Sequence, residues 1–135
     1  MAKRSMPAVT EAELRVLAEL WEREEATIRD LRDLIYPEGG ESKFATVQKL
    51  LSRLVAKKLV RRRKDSANWT YRALVARDEL IGGELRRVAD RLGGNSMTPL
   101  LTYLVETGEL SAKERAHLRQ LLDGTPAERN SSRKN

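Results

Sequence analysis

The chain has 135 residues, 34% charged, 40% hydrophobic and only 4% aromatic, with a net charge of +6 and an isoelectric point near 9.9. The absence of cysteine excludes disulfides, thiolate metal sites and thiol redox switches, and no apolar run reaches the roughly eighteen residues of a membrane span. Scarce aromatics argue against a sandwich or barrel, and Met1-Ala2-Lys3-Arg4-Ser5 leads into no apolar stretch, so no secretory signal is expected and the totals describe a cytoplasmic globular protein.

Thr10 followed three residues later by Glu13 is a capping-box pattern. Leu14, Leu17, Ala18 and Trp21 then recur at helical spacing, which predicts a first helix to about Arg23. A second, short helix starts near Thr27, with Ile28, Leu31, Leu34 and Ile35 on one side; Pro37 stops it and Gly39-Gly40 opens a turn. Ser42 is expected to cap a third helix, whose apolar face is Val47, Leu50, Leu51 and Leu54. At about 100° per residue the opposite side holds Ala45, Lys49, Ser52 and Ala56, with Thr46, Gln48 and Arg53 on the flanks. Small residues there let the helix backbone approach whatever it docks against, whereas an ordinary solvated face would favour longer Glu and Lys.

Leu59 to Lys64 and Asn68 to Leu74 read as two strands joined by Asp65-Ser66-Ala67, a β-hairpin. In the second strand Trp69, Tyr71 and Ala73 alternate with Asn68, Thr70 and Arg72. Arg61 to Lys64 are all cationic, so the first strand leaves its register open. The aromatics of the hairpin are expected to pack back on the helices rather than to stack on bases. Three helices followed by a basic hairpin make a winged helix-turn-helix, although Tyr36 to Glu41 is longer than the turn of a minimal one.

Beyond Val75, Ile81, Leu85, Val88 and Leu92 mark a fourth helix, broken at Gly93-Gly94-Asn95. Met97, Leu100, Leu101, Leu104 and Val105 mark a fifth, ended by Gly108. Ser111 with Glu114 is a second capping box and opens a sixth with Leu118, Leu121 and Leu122. Three such short helices cannot bury this much leucine among themselves, and the surplus most simply meets the same region of a second copy. The fold class is therefore mainly α. Residues 1–7 are expected to be a flexible N-terminus, 8–75 a winged-helix DNA-binding domain, 76–123 a helical dimerisation domain and 124–135 a disordered polar tail.

Residues 43–72 carry ten lysines and arginines against one acid, Asp65: a local charge of +9, with −3 for the rest of the chain. Charge concentrated on a helix and an adjoining hairpin is the footprint of a surface that meets phosphates. On this reading the third helix enters the major groove of double-stranded DNA, where Gln48 and Lys49 meet purine edges and the Thr46 methyl meets a thymine, while Ala45 and Ser52 allow close approach. Lys43, Arg53, Arg62, Arg63 and Lys64 hold phosphates or reach into the minor groove. The alternative is a solvated basic face, with Lys57 and Lys58 favouring a helix C-terminus.

Catalysis has little to stand on. His117 is the sole histidine, and the chain has no Gly-rich phosphate loop, no His-Glu-x-x-His arrangement and no nucleophile elbow. No metal or cofactor is implied. Gly82-Gly83 is expected to permit a close helix crossing or a bend rather than a ligand's approach.

Thr10 to Leu17, Leu20-Trp21 and Ala26 to Asp30 resemble the opening of the BlaI/MecI penicillinase-repressor family. Thr46 to Leu54 is similar to its recognition helix, Leu59 to Arg62 and Trp69 to Val75 to its wing, and Glu109-Leu110-Ser111, Glu114 and Leu118 to Leu122 to its last helix. The likeness runs over about residues 8–123. It implies a homodimeric repressor on a palindromic operator, with Ile81, Leu85, Val88, Leu100, Leu101, Leu104, Leu118, Leu121 and Leu122 at the dimer contact. It also implies a membrane-bound sensor metalloprotease as a partner, which triggers cleavage in the fifth helix between an Asn and a Phe. Tyr103 and Leu104 stand at those positions here, a departure from the family. The copper-responsive branch uses a cysteine cluster, which this chain lacks. Two other readings stay open: a small-molecule-responsive winged-helix regulator and a non-specific architectural DNA protein.

Overall fold

The computed structural model describes residues 6–124. Most of the expected flexible N-terminus and nearly all of the expected disordered tail lie outside the described residues. The elements run α1 (Glu11–Glu22), α2 (Ile28–Ile35), α3 (Glu41–Ala56), β1 (Val60–Asp65), β2 (Asn68–Ala73), α4 (Arg77–Leu92), α5 (Thr98–Glu106) and α6 (Ala112–Asp123). The described residues are thus mainly helical with one antiparallel hairpin, and three helices followed by that hairpin form a winged helix. Two compact units divide between Arg87 and Val88, inside α4.

In the first unit, α1 starts at a reciprocal cap. Thr10 Oγ1 accepts from the Glu13 N–H at 3.1 Å, and Glu13 Oε1 accepts from the Thr10 N–H at 2.9 Å. Thr27 and Asp30 repeat the device on α2, at 3.1 and 3.2 Å. The apolar sides of the three helices converge on Val16, Leu17, Leu20, Leu31, Ile35, Val47, Leu50, Leu51 and Leu54. Each fully buried leucine contributes about 1.5–3 kcal/mol through apolar surface withdrawn from water. The buried side of α1 is rotated from the predicted stripe: Glu13, Val16, Leu17 and Leu20 are buried, while Leu14, Ala18 and Trp21 are half-buried. Leu34 of α2 is exposed.

Ser42 does not cap α3. Gly40 occupies the N-cap with no side-chain cap, and Ser42 is the second residue of the helix, its carbonyl accepting from Thr46 Oγ1 at 3.0 Å. The Gly39-Gly40 turn lets the helix begin two residues earlier than a serine cap would. The helix ends at Ala56 with Lys57 as its C-cap, and Lys58 just beyond takes a left-handed φ of 66°. The Lys58 N–H reaches the Val55 carbonyl at 2.9 Å and the Leu59 N–H the Leu54 carbonyl at 3.0 Å, with Leu54 and Leu59 both buried. This is a Schellman turn with lysine where glycine is usual.

The hairpin pairs Val60 with Ala73 through Asp65 with Asn68, leaving Ser66-Ala67 as its two-residue tip. The first strand is thus shifted by one residue from its predicted span, because Asp65 pairs in the ladder and Ser66 takes the left-handed conformation, φ 59°, while the second starts at Asn68 as predicted and ends one residue earlier, at Ala73. Tyr71 also exchanges both backbone bonds with Ala26, at 3.1 and 2.8 Å, which fastens the hairpin to the α1–α2 connection. Trp21 Nε1 donates to the Val75 carbonyl at 2.7 Å, and Leu80 of α4 is buried in the same core.

Gly82 and Gly83 part company here. A Cβ on Gly82 would meet nothing within 4 Å, whereas one on Gly83 would lie 2.6 Å from Met6 Cβ. The close approach is therefore made by the N-terminal segment and not by another helix. Arg87 holds that segment by donating to the Met6 carbonyl at 2.9 and 3.0 Å.

In the second unit, Ser111 and Glu114 cap α6 reciprocally at 2.9 and 3.1 Å, and Gly94 and Asn95 take left-handed conformations between α4 and α5. Neither α5 nor α6 buries any residue.

Candidate nucleic-acid interface

The side of α3 turned from the core exposes Ala45, Gln48, Lys49, Ser52, Arg53 and Ala56. This follows from helical geometry: Val47, Leu50, Leu51 and Leu54 occupy the core, so their complement must face out. Thr46 is half-buried and its hydroxyl is spent on the Ser42 carbonyl, which leaves the methyl as its free chemistry. Lys43 is half-buried, its Nζ lying 5.0 Å from the centre of the Tyr36 ring; Arg15 lies over the same ring at 5.3 Å.

The hairpin register sorts the wing cations into two sets, since directly paired residues share a face. Arg61, Arg63 and Arg72 belong with Thr70, Asp65 and Asn68. Arg62 and Lys64 belong with Trp69 and Tyr71. Sequence reasoning singled out Arg62, Arg63 and Lys64 but passed over Arg61 and Arg72, which stand directly opposite one another. Like charges in that position destabilise a hairpin unless an anion lies nearby. Only the register reveals the pair, and a uniformly cationic first strand conceals it.

Arg63 is partly engaged by Glu25, 3.3 Å away. Tyr71 is buried as expected of a wing aromatic, but Trp69 is not: it stays 40% exposed, because the core ends before it. Arg62 lies 4.6 Å and Lys64 5.6 Å from the Trp69 ring centre. A groove of about 340 Å³ opens between the wing tip and the helices, lined by Trp69 and Asn68, by Thr27, Ile28 and Arg29 at the start of α2, and by Phe44 of α3.

Lys57 faces away from this surface. Its Nζ donates to Glu13 Oε1 at 2.6 Å and to the Ala8 carbonyl at 2.8 Å. Glu13 is only 1% exposed. Burial pushes its pKa up, but the Lys57 hydrogen bond, the Thr10 N–H and the charges of Lys57 and Arg53 outweigh that and hold it below 4.5.

Of the residues expected at a dimer contact, Ile81, Leu85, Leu101, Leu104, Leu118, Leu121 and Leu122 are exposed, Leu122 at 74%, while Val88 and Leu100 are half-buried. Tyr103 is 61% exposed on α5. Among the described residues no helix is long and apolar enough to cross a membrane.

A family model described as penicillinase repressor matches residues 9–124. An uncharacterised 16.5 kDa protein from the region 3′ of ptsI in Latilactobacillus sakei is 27% identical over 119 residues, covering 88% of this chain and 81% of that protein. Two solved structures are similar over 85% of this chain and 74% of theirs. The oxidised form of MarR from E. coli has a TM-score of 0.43 and 19% identity, and a mutant MarR complexed with operator DNA has 0.44 and 21%.

Proposed function

Since this chain belongs to the penicillinase repressor family, we propose that it represses transcription as a homodimer bound to a palindromic operator. It is a DNA-binding transcriptional regulator, and its family is one of regulators rather than enzymes. The observation that carries the finer reading is the composition of one surface: α3 exposes small, amide and cationic groups, and the cationic wing adjoins it. Gln48 and Lys49 discriminate bases, Ala45 and Ser52 admit the helix to the major groove, and Arg53, Lys43 and the wing cations hold phosphates.

Two reading heads are needed because one half-site offers few contacts, and a mismatched base pair costs only about 1–3 kcal/mol. Joining a second head multiplies affinity through effective concentration. The exposed leucines of α4, α5 and α6 support a contact between copies, since apolar surface of this extent is rarely left to water. Repression is relieved by whatever loosens that contact. Cleavage at Tyr103-Leu104 by a membrane-bound sensor metalloprotease is one such event, favoured by the exposure of Tyr103.

A footprint on the protein's own promoter tests the proposal. The expected result is a protected palindrome, bound far more tightly than random duplex. A narrow ratio between the two would instead indicate an architectural DNA protein.

A further inference from the structure

We infer that Trp69 is a positioning residue for the wing, a shelf that holds Arg62 and Lys64 ready for the DNA backbone before DNA arrives. The inference rests on the DNA-binding reading and goes beyond it in assigning a role to a residue that carries no charge. Long cationic side chains on an exposed strand ordinarily sample many rotamers, and ordering each on binding costs affinity. Here the register places Lys64 directly across from Trp69 and Arg62 across from Tyr71, its neighbour on the same face. Both cations then lie over one indole, Arg62 at 4.6 Å and Lys64 at 5.6 Å from its centre. Indole is the most favourable ring for such contacts.

Placement supports the same role. With α3 in the major groove and the wing at the adjacent minor groove, as proposed, the DNA strand between those grooves passes between α3 and the wing. Trp69 lines the groove that lies there, with Phe44 and Ile28 on its other walls. Tyr71, two residues along, is consumed by the core, whereas Trp69 stays exposed and is the aromatic left to serve the wing. Arg63, on the opposite face, is held separately by Glu25 at 3.3 Å and does not share the shelf.

The test measures affinity of the full chain for a long mixed-sequence duplex across a salt series, because backbone contacts need no operator. Trp69→Leu is expected to weaken binding about fivefold and to flatten the salt dependence. Trp69→Phe, which keeps a ring, retains most of the affinity. In an Arg62→Ala, Lys64→Ala background Trp69→Leu has no further effect, because the residue acts only through those two cations. An undiminished loss in that background, or equal losses in the Phe and Leu variants, overturns the inference. So does a Trp69→Leu protein that binds like the wild type. A wild-type chain indifferent to the duplex defeats the underlying DNA-binding reading, and this result is seen before any variant is compared.

Discussion

Lys57 at the end of α3 donates to the buried carboxylate of Glu13 in the first turn of α1, at 2.6 Å. The same carboxylate completes the cap on Thr10, so one side chain starts one helix and anchors the end of another. One cation of the basic segment is thereby committed to scaffolding.

Removing either partner should therefore cost fold stability rather than DNA discrimination. Glu13→Gln loses the ion pair and weakens the cap, and a drop of about 2–3 kcal/mol in urea unfolding is expected. Its pH dependence carries a sign. The folded pKa lies below 4.5, so the contribution is fully present above that value and is lost as pH falls through the lower folded value. The wild type should lose stability over that acid window more steeply than Glu13→Gln. Parallel acid limbs for the two proteins would contradict the assignment.

The proposed function assigns base reading to the exposed side of α3 and backbone holding to the wing, and the two roles are separable. Lys49→Ala should cost about 1–3 kcal/mol on the operator and little on random duplex. Arg61→Ala should lower affinity on every sequence and reduce the salt slope by about 1. Mobility shifts over a salt series check both, and equal losses on operator and random DNA for Lys49→Ala would show that α3 does not read bases.

The apolar helices beyond the winged helix should govern assembly alone. Leu104→Asp and Leu122→Asp are expected to give monomers by sedimentation, with operator affinity reduced by about a hundredfold and the unfolding of the winged helix unchanged. A monomeric variant that binds operator normally would remove the dimer from the mechanism.

Adjacent glycines in α4 should respond in opposite directions. Gly82→Ala gains about 0.5–1 kcal/mol, since its Cβ enters open space and alanine is the better helix former. Gly83→Ala forfeits that gain and costs about 1 kcal/mol, because Met6 Cβ lies 2.6 Å from the new atom and Arg87 holds the Met6 carbonyl. Thermal unfolding of the two variants decides between them.

Much of this protein was legible without coordinates. The apolar face of α3 is visible because Val47, Leu50, Leu51 and Leu54 repeat at helical spacing, and the face opposite follows by geometry. The caps at Thr10 and Ser111 are legible for a similar reason, since both partners lie three residues apart. Ser42 misled because a glycine turn before it offered an earlier start that needs no side chain.

Spacing, capping and the clustering of charge are properties of neighbours along the chain, and they determined the elements, the winged-helix class and the basic surface. The remaining features join residues far apart, and only the folded arrangement decided them. Glu13 reads from its spacing as a helix cap and no more, until Lys57, 44 positions away, and the core close over it. Trp69 and Tyr71 look equivalent along the strand; where the core ends makes one a core residue and the other a support for cations. A short-range pattern states which way a side chain points, but burial and charge pairing depend on what the rest of the chain brings to meet it.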